Sequence, residues 1–181
     1  MSEFVVLTAV GQDRPGIVAG VAEALWRAGC NIEDTSMTLL RSEFAMIVIA
    51  RRPPGLTTDA LATGLQEMEG RLGLQIHLKE LTAEESASEA PSGQPYVVSV
   101  YGADRTGIVY RVTSLLAEHG INITDVNTRV LAGSQPPVYV MLLEIDLPPA
   151  VEEGTLRAAL AGAASELGVD VTLHAVDEEA L

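Results

Sequence analysis

One cysteine, Cys30, stands in 181 residues, so no intrachain disulfide can form. That rules out a small secreted scaffold held by disulfides and fits a reducing compartment. Cys30 follows a helical segment and has no basic cluster beside it, so it reads as a small apolar residue and not as a reactive thiol. Aromatic residues are scarce at 4%, while hydrophobic residues of all kinds reach 48%. A core must therefore be built from Val, Ile, Leu and Ala, and there is enough of them to fold the bulk of the chain. Bases are few, 11 against 25 acids, for a net charge of −14. Residues 1–81 hold 10 acids and 7 bases (net −3), and residues 82–181 hold 15 and 4 (net −11). Nucleic-acid binding rests on Lys and Arg displacing counterions from phosphates, so direct contact with DNA or RNA is disfavoured. An anionic membrane surface is disfavoured for the same reason. No apolar run approaches the ~18 residues of a membrane-crossing helix. The start, Met1-Ser2-Glu3, lacks the basic and apolar regions of a secretory leader. A soluble cytoplasmic protein is the expectation.

What is present is a repeat. Val10-Gly11-Gln12-Asp13-Arg14-Pro15-Gly16-Ile17-Val18 returns as Tyr101-Gly102-Ala103-Asp104-Arg105-Thr106-Gly107-Ile108-Val109, at an offset of 102 − 11 = 91. The same offset pairs Val21 with Val112, Leu25 with Leu116, Gly29 with Gly120, Asn31 with Asn122, Ile32 with Ile123 and Asp34 with Asp125. One fixed, ungapped offset indicates duplication of a domain. Between the copies, residues 82–94 are rich in Ser, Glu, Ala, Gly and Pro without apolar periodicity, as expected of a solvated linker. The expected organisation is a first domain over 1–81, a linker over 82–94, a second domain over 95–176 and an acidic tail over 177–181.

Each copy spells the same elements. Phe4 to Val10 is a short apolar run closed by Gly11, as in a buried strand. Ile17, Val18, Val21 and Leu25 follow at helical spacing, with Pro15 suited to the first turn and Gly29 to the end. Ile32–Leu40 and Phe44–Ala50 read as strands around Arg41-Ser42-Glu43. Leu61, Leu65, Met68 and Leu72 then mark a second helix ended by Gly73, and Leu74–Leu81 alternates as a last strand. The second copy gives strands at Tyr96–Tyr101, Ile121–Leu131, Val138–Ile145 and Val169–Val176. Its helices run through Ile108, Val109, Val112 and Leu116, and through Leu156, Leu160, Ala163 and Leu167. In the second copy the equivalent of the first turn is Ala132 to Pro137. The order βαββαβ, twice, predicts an α+β fold of two ferredoxin-like domains. Each would be an antiparallel four-stranded sheet with both helices on one face and the first strand inside the sheet.

The repeated Gly-x-Asp-Arg-x-Gly-Ile-Val, followed by a helix and Gly-x-Asn-Ile, resembles the ACT domain family. Two copies in register, inside matching element strings, make the resemblance specific. It covers nearly the whole chain outside the linker and tail, and is strongest to tandem ACT proteins similar to the glycine cleavage system transcriptional repressor. The leading ACT segment of formyltetrahydrofolate deformylases carries a similar Asp-Arg-Pro-Gly-Ile-Val stretch. The resemblance implies a small amino acid bound at the strand-to-helix loop, commonly where two ACT domains meet. On that reading the binding residues are Gly11, Asp13, Arg14, Gly16, Ile17 and Asn31 in the first copy, and Gly102, Asp104, Arg105, Gly107, Ile108 and Asn122 in the second. A loop glycine lets a ligand approach the backbone. The following helix N-terminus offers free N–H groups and partial positive charge to a carboxylate. Asp13 or Asp104 would accept from an ammonium, and the Asn amides both donate and accept. The same residue types also serve plain turns: Asp capping loop N–H groups, Arg pairing with it, and Asn satisfying its own backbone. The copies differ where Pro15 becomes Thr106, Ala28 becomes His119 and Cys30 becomes Ile121, so one site can be degenerate.

Catalytic patterns are missing. His77, His119 and His174 read as structural or surface residues, with His119 at a helix C-terminus where an imidazolium is favourable. No Cys/His spacing suits a metal, and there is neither a nucleophile elbow nor a Walker-type loop. The expectation is a non-enzymatic regulator without cofactor. It would sense a small amino acid, with glycine or serine the natural guesses, and modulate a regulatory protein partner, possessing the makings of a homo-oligomer. The alternative is an interaction or dimerisation module that needs no effector.

Overall fold

A computed structural model describes residues 3–82, 85, 93–131 and 137–176. The acidic tail, most of the linker and residues 132–136 of the second copy's turn lie outside the described residues. The chain divides into two compact units, Met1–Ser88 and Glu89–Leu181.

In the first unit the elements are β1 (Phe4–Gln12), α1 (Ile17–Arg27), β2 (Asn31–Leu40), β3 (Glu43–Arg51), α2 (Thr58–Leu72) and β4 (Leu74–Glu80). In the second they are β5 (Gln94–Ala103), α3 (Ile108–Glu118), β6 (Asn122–Leu131), β7 (Val138–Leu147), α4 (Glu153–Leu167) and β8 (Val169–Ala175). The sheets are antiparallel with strand orders β2-β3-β1-β4 and β6-β7-β5-β8, so the first strand of each repeat is interior, as its unbroken apolar character predicts.

Strand alternation decides which face is buried. Val5, Leu7 and Ala9 of β1, and Phe44, Met46, Val48 and Ala50 of β3, point to the helices and are buried. Ile17, Val21 and Leu25 of α1 and Leu61, Leu65 and Met68 of α2 complete that core. The second core is its counterpart, from Tyr96, Val98 and Val100 through Ile108, Val112 and Leu116 to Leu156, Leu160 and Ala163. Val18 and Val109, expected on the buried helix faces, are instead 44% and 42% exposed. Each stands about 100° round the helix from the isoleucine before it and so leaves the i, i+4 stripe. Leu115 takes the place in the second core that Val109 does not.

Two further expectations need correction. Pro15 lies before the helix and not in its first turn, because Gly16 is the N-cap of α1. The offset is also not constant. It is 122 − 31 = 91 at the start of β6 but 138 − 43 = 95 at the start of β7. The second copy thus carries four extra residues between β6 and β7, while everything on either side keeps register.

Candidate functional site

In each half the repeated loop runs from the end of β1 or β5 into the next helix. It is pinned from behind: the Asp13 N–H donates to the Ser42 carbonyl at 2.8 Å, and the Asp104 N–H to the Pro137 carbonyl at 3.2 Å. Each loop therefore leans on the residue just before the third strand of its half, Ser42 or Pro137, and each carries one aspartate. Both aspartates are exposed.

Gly16 and Gly107 take φ of 94° and 92° as the N-caps of α1 and α3. This left-handed conformation disfavours any residue with a Cβ. Nothing lies within 4 Å of where a Cβ would stand at either, so the space beside each glycine is open. Neither helix has a side-chain cap or an acid in its first turn. Its leading N–H groups and the positive end of its dipole are left for an outside acceptor. Ile17 and Ile108, the first helical residues, are 2% and 1% exposed, so their side chains belong to the two cores.

Gly11 and Gly102 serve packing. A Cβ at Gly11 would lie 2.8 Å from the Gly73 carbonyl oxygen and 3.0 Å from Leu74 Cδ2, and one at Gly102 would lie 2.8 Å from Val169 Cγ1. These glycines let the first strand close on the start of the last. Arg14 and Arg105 are engaged as well. Arg14 Nη2 donates to the Arg71 carbonyl at 2.7 Å, and Arg105 Nη1 to the Leu167 carbonyl at 3.1 Å. Each guanidinium thus caps the C-terminal turn of the second helix in its half, where carbonyls lack intrahelical donors.

Within one half the structure does not bring the asparagine to the loop. Asn31 pairs with Arg51, which pairs with Phe4, whereas Gln12 pairs with Glu43, which pairs with Leu40. Asn31 and the loop sit at opposite ends of the sheet, about 30 Å apart at the usual strand rise. Asn31 Nδ2 donates to Glu33 Oε1 at 2.8 Å, and Glu33 in turn meets Arg51 Nη2 at 2.9 Å. Asn122 is exposed at the matching end of β6.

Sequence reasoning passed over two features near the loops. The first is the edge strand. β2 and β6 are exposed along almost their whole length, and β2 shows Met37 (51%), Leu39 (51%) and Leu40 (70%). The second is the residue under each loop. Phe44 lies opposite both Gly11 and Leu39 in the first half, and Tyr139 opposite both Gly102 and Val130 in the second. Burial pushes the Tyr139 phenol above its usual range and the nearby Asp104 charge adds to this, while a hydrogen bond with Thr128 pulls the other way. The four-residue shift in offset hid the Phe44–Tyr139 equivalence.

Among the described residues no group of three or more His, Cys, Asp or Glu side chains is arranged to hold a metal ion, and no helix is long and apolar enough to cross a membrane. His119 meets the Leu115 carbonyl through Nδ1 at 2.8 Å, at the end of α3.

The ACT domain family model matches residues 3–79 and again residues 94–174. A glycine cleavage system transcriptional repressor from Escherichia coli is 27% identical over 176 residues, covering 96% of this chain and 90% of its own. A UPF0237 protein from Methanopyrus kandleri is 45% identical over 82 residues, 45% of this chain and 87% of its own. Among solved structures, a protein of unknown function from Galdieria sulphuraria is 28% identical, with a TM-score of 0.79 over 98% of this chain and 100% of that one.

Proposed function

Because this chain belongs to the ACT domain family, in both of its halves, we propose that it is a regulatory protein that senses a small amino acid at its two strand-to-helix loops. One observation carries the reading: each loop ends in an uncapped helix N-terminus behind a left-handed glycine that has open space beside it. Such a terminus suits a carboxylate. Asp13 or Asp104, on the same loop and exposed, supplies the acceptor for an ammonium. Arg14 and Arg105 are left to hold α2 and α4. Glycine, on the strength of the repressor's name, and serine are the first ligands to try.

The asparagines fit this reading only across a subunit boundary. If the open β2 edges of two copies pair antiparallel, the start of one strand lies beside the end of the other. Asn31 of one copy then stands near the Asp13 loop of its neighbour. A homo-oligomer would complete each site, and a ligand bound there would favour one packing over another, as allosteric coupling requires. The whole-chain relative is named a transcriptional repressor. With a net charge of −14, this chain would act in such a role through a protein partner and not by contacting DNA itself.

Calorimetric titration of the full chain against the twenty amino acids tests the proposal. Binding of at least one, abolished in the Asp13→Ala, Asp104→Ala double variant with the fold intact, is the expected result. Silence across the panel at millimolar ligand defeats it. A second reading, a module that associates without any effector, is favoured by the apolar β2 edge. Under that reading the sedimentation coefficient does not respond to amino acids.

A further inference from the structure

We propose that two copies of this chain associate through their first halves, with Trp26 of each copy seated on Met37 and Leu39 of the other. This rests on the open β2 edge of the reading above, in which a neighbour completes the site. It adds which half carries the contact and which side chain anchors it.

Trp26 is the only tryptophan of the chain and is 74% exposed. It does not stand alone. Successive residues of α1 turn by about 100°. Gly20, Ala24 and Arg27 face α2 across a groove shared with Gly64, Met68 and Arg71, while Val21 and Leu25 enter the core. Val18, Ala22 and Trp26, spaced four apart, therefore line the remaining flank, on the side of α1 that meets β2. The strand extends this apolar strip. Met37 pairs with Met46 and Leu39 with Phe44, and both partners are core residues. Paired residues share a face of the sheet. Met37 and Leu39 thus stand on the helix side, beyond the cover of α1, and each is 51% exposed.

The two parts of the strip are complementary across a two-fold axis. Trp26 lies at the end of α1, near Asn31 where β2 begins, whereas Met37 and Leu39 lie toward the end of β2. Antiparallel pairing of β2 with the β2 of a second copy sets the beginning of one strand beside the end of the other. Each Trp26 then meets Met37 and Leu39 of the second copy, and symmetry makes that contact twice. The open N–H and C=O groups of the two edges pair at the same time. From Thr35 to Leu40 the strand has no charged residue, the usual guard against edge pairing.

The second half lacks this match. Ala117 takes the place of Trp26 (117 − 26 = 91) and Thr128 that of Met37 (128 − 37 = 91). Its bulky exposed groups, Val109, Tyr110 and Val130, all sit at the loop end of the unit. Antiparallel pairing of two β6 edges would set them against the small Ala117. β6 also carries Arg129 within its exposed run. Net charge points the same way: two first halves bring together −3 and −3, two second halves −11 and −11.

The test is sedimentation equilibrium of the full chain without amino acids, with the emission of Trp26 as a second signal. The wild type is expected to be a dimer that dissociates on dilution, its emission moving to longer wavelength as the ring returns to water. Trp26→Ala weakens dimerisation by about thirtyfold or more. Met37→Glu, at an exposed position, gives a monomer with long-wavelength emission at every concentration. Val130→Glu, on the corresponding edge of the second half, changes neither signal. A wild type that is monomeric throughout overturns the inference. So does a dimer that survives both Trp26→Ala and Met37→Glu, or one that Val130→Glu breaks as fully as Met37→Glu. A monomer that still binds an amino acid removes this interface and keeps the sensor, whereas a dimer of the stated kind that is silent toward every amino acid does the reverse.

Discussion

At the scale of single residues, the duplicated motif divides its labour. Glycine is required at Gly16 and Gly107 by backbone conformation, and at Gly11 and Gly102 by contact with the neighbouring turn or strand. Both facts give an invariant-looking glycine in the repeat, but only the first leaves open space for a guest. The arginines illustrate how a polar residue in a loop acquires a partner that the sequence does not announce: the carbonyls capped by Arg14 and Arg105 lie 57 and 62 residues downstream. Arg14→Met is expected to cost about 1 kcal/mol of stability through the lost cap, seen as a lower urea midpoint, while amino-acid affinity changes less than twofold. A loss of affinity larger than the loss of stability would return Arg14 to the binding site.

Among elements, the helices show the limit of spacing as a guide. Val18 and Val21 both fit an apolar pattern, but Val21 is fully buried and Val18 is 44% exposed. Val21→Ala should therefore destabilise by about 2 kcal/mol and Val18→Ala by no more than about 0.5 kcal/mol, both read from denaturant unfolding; equal effects would mean that α1 is rotated from its described position. The start of α4 is tied to β5 by Glu153, which accepts from Arg157 Nε at 2.6 Å and from the Tyr96 hydroxyl at 2.8 Å. The hydrogen bond from Arg157, then that from Tyr96, holds the Glu153 carboxyl below its ordinary value of 4.5. A depressed carboxylate pKa stabilises the fold above the unfolded value and ceases to do so as pH falls through the folded one. The wild type should thus exceed Glu153→Gln in stability at pH 6 and lose that margin by pH 3. A margin unchanged between the two pH values would show that the ion pair contributes nothing. In the first half the same end of the sheet uses another device. Arg52, 5% exposed, donates to Thr58 Oγ1 at 2.7 Å and meets Glu80 Oε1 at 3.1 Å. One fold thus tolerates two unrelated polar staples at equivalent places.

For the molecule as a whole, the decisive features are the open edges. A β2 edge with Met37, Leu39 and Leu40 exposed invites pairing, because its backbone groups and its side chains both lack cover along one border. Leu39→Lys should lower the sedimentation coefficient toward that of a monomer and weaken amino-acid binding in parallel, if the neighbour's strand completes the site. Dissociation without any change in affinity would confine the site to a single copy, and no change in either would remove the edge from consideration.

The sequence by itself determined the two-fold repetition, the βαββαβ order, the interior position of the first strand and most of the two cores. All of these follow from local periodicity and from residue types that the backbone demands at turns, which act over a few residues and so can be read in line. It also marked the loops, since a left-handed glycine before a helix leaves a local trace. Tertiary structure alone decided what those loop residues touch. Strand register carried Asn31 and Asp13 to opposite ends of a sheet, set Arg14 against a helix end far along the chain, and put Tyr139 beneath one loop where Phe44 lies beneath the other. Such pairings depend on which distant segments become neighbours, and a four-residue difference in one turn was enough to hide the correspondence until the strands were aligned.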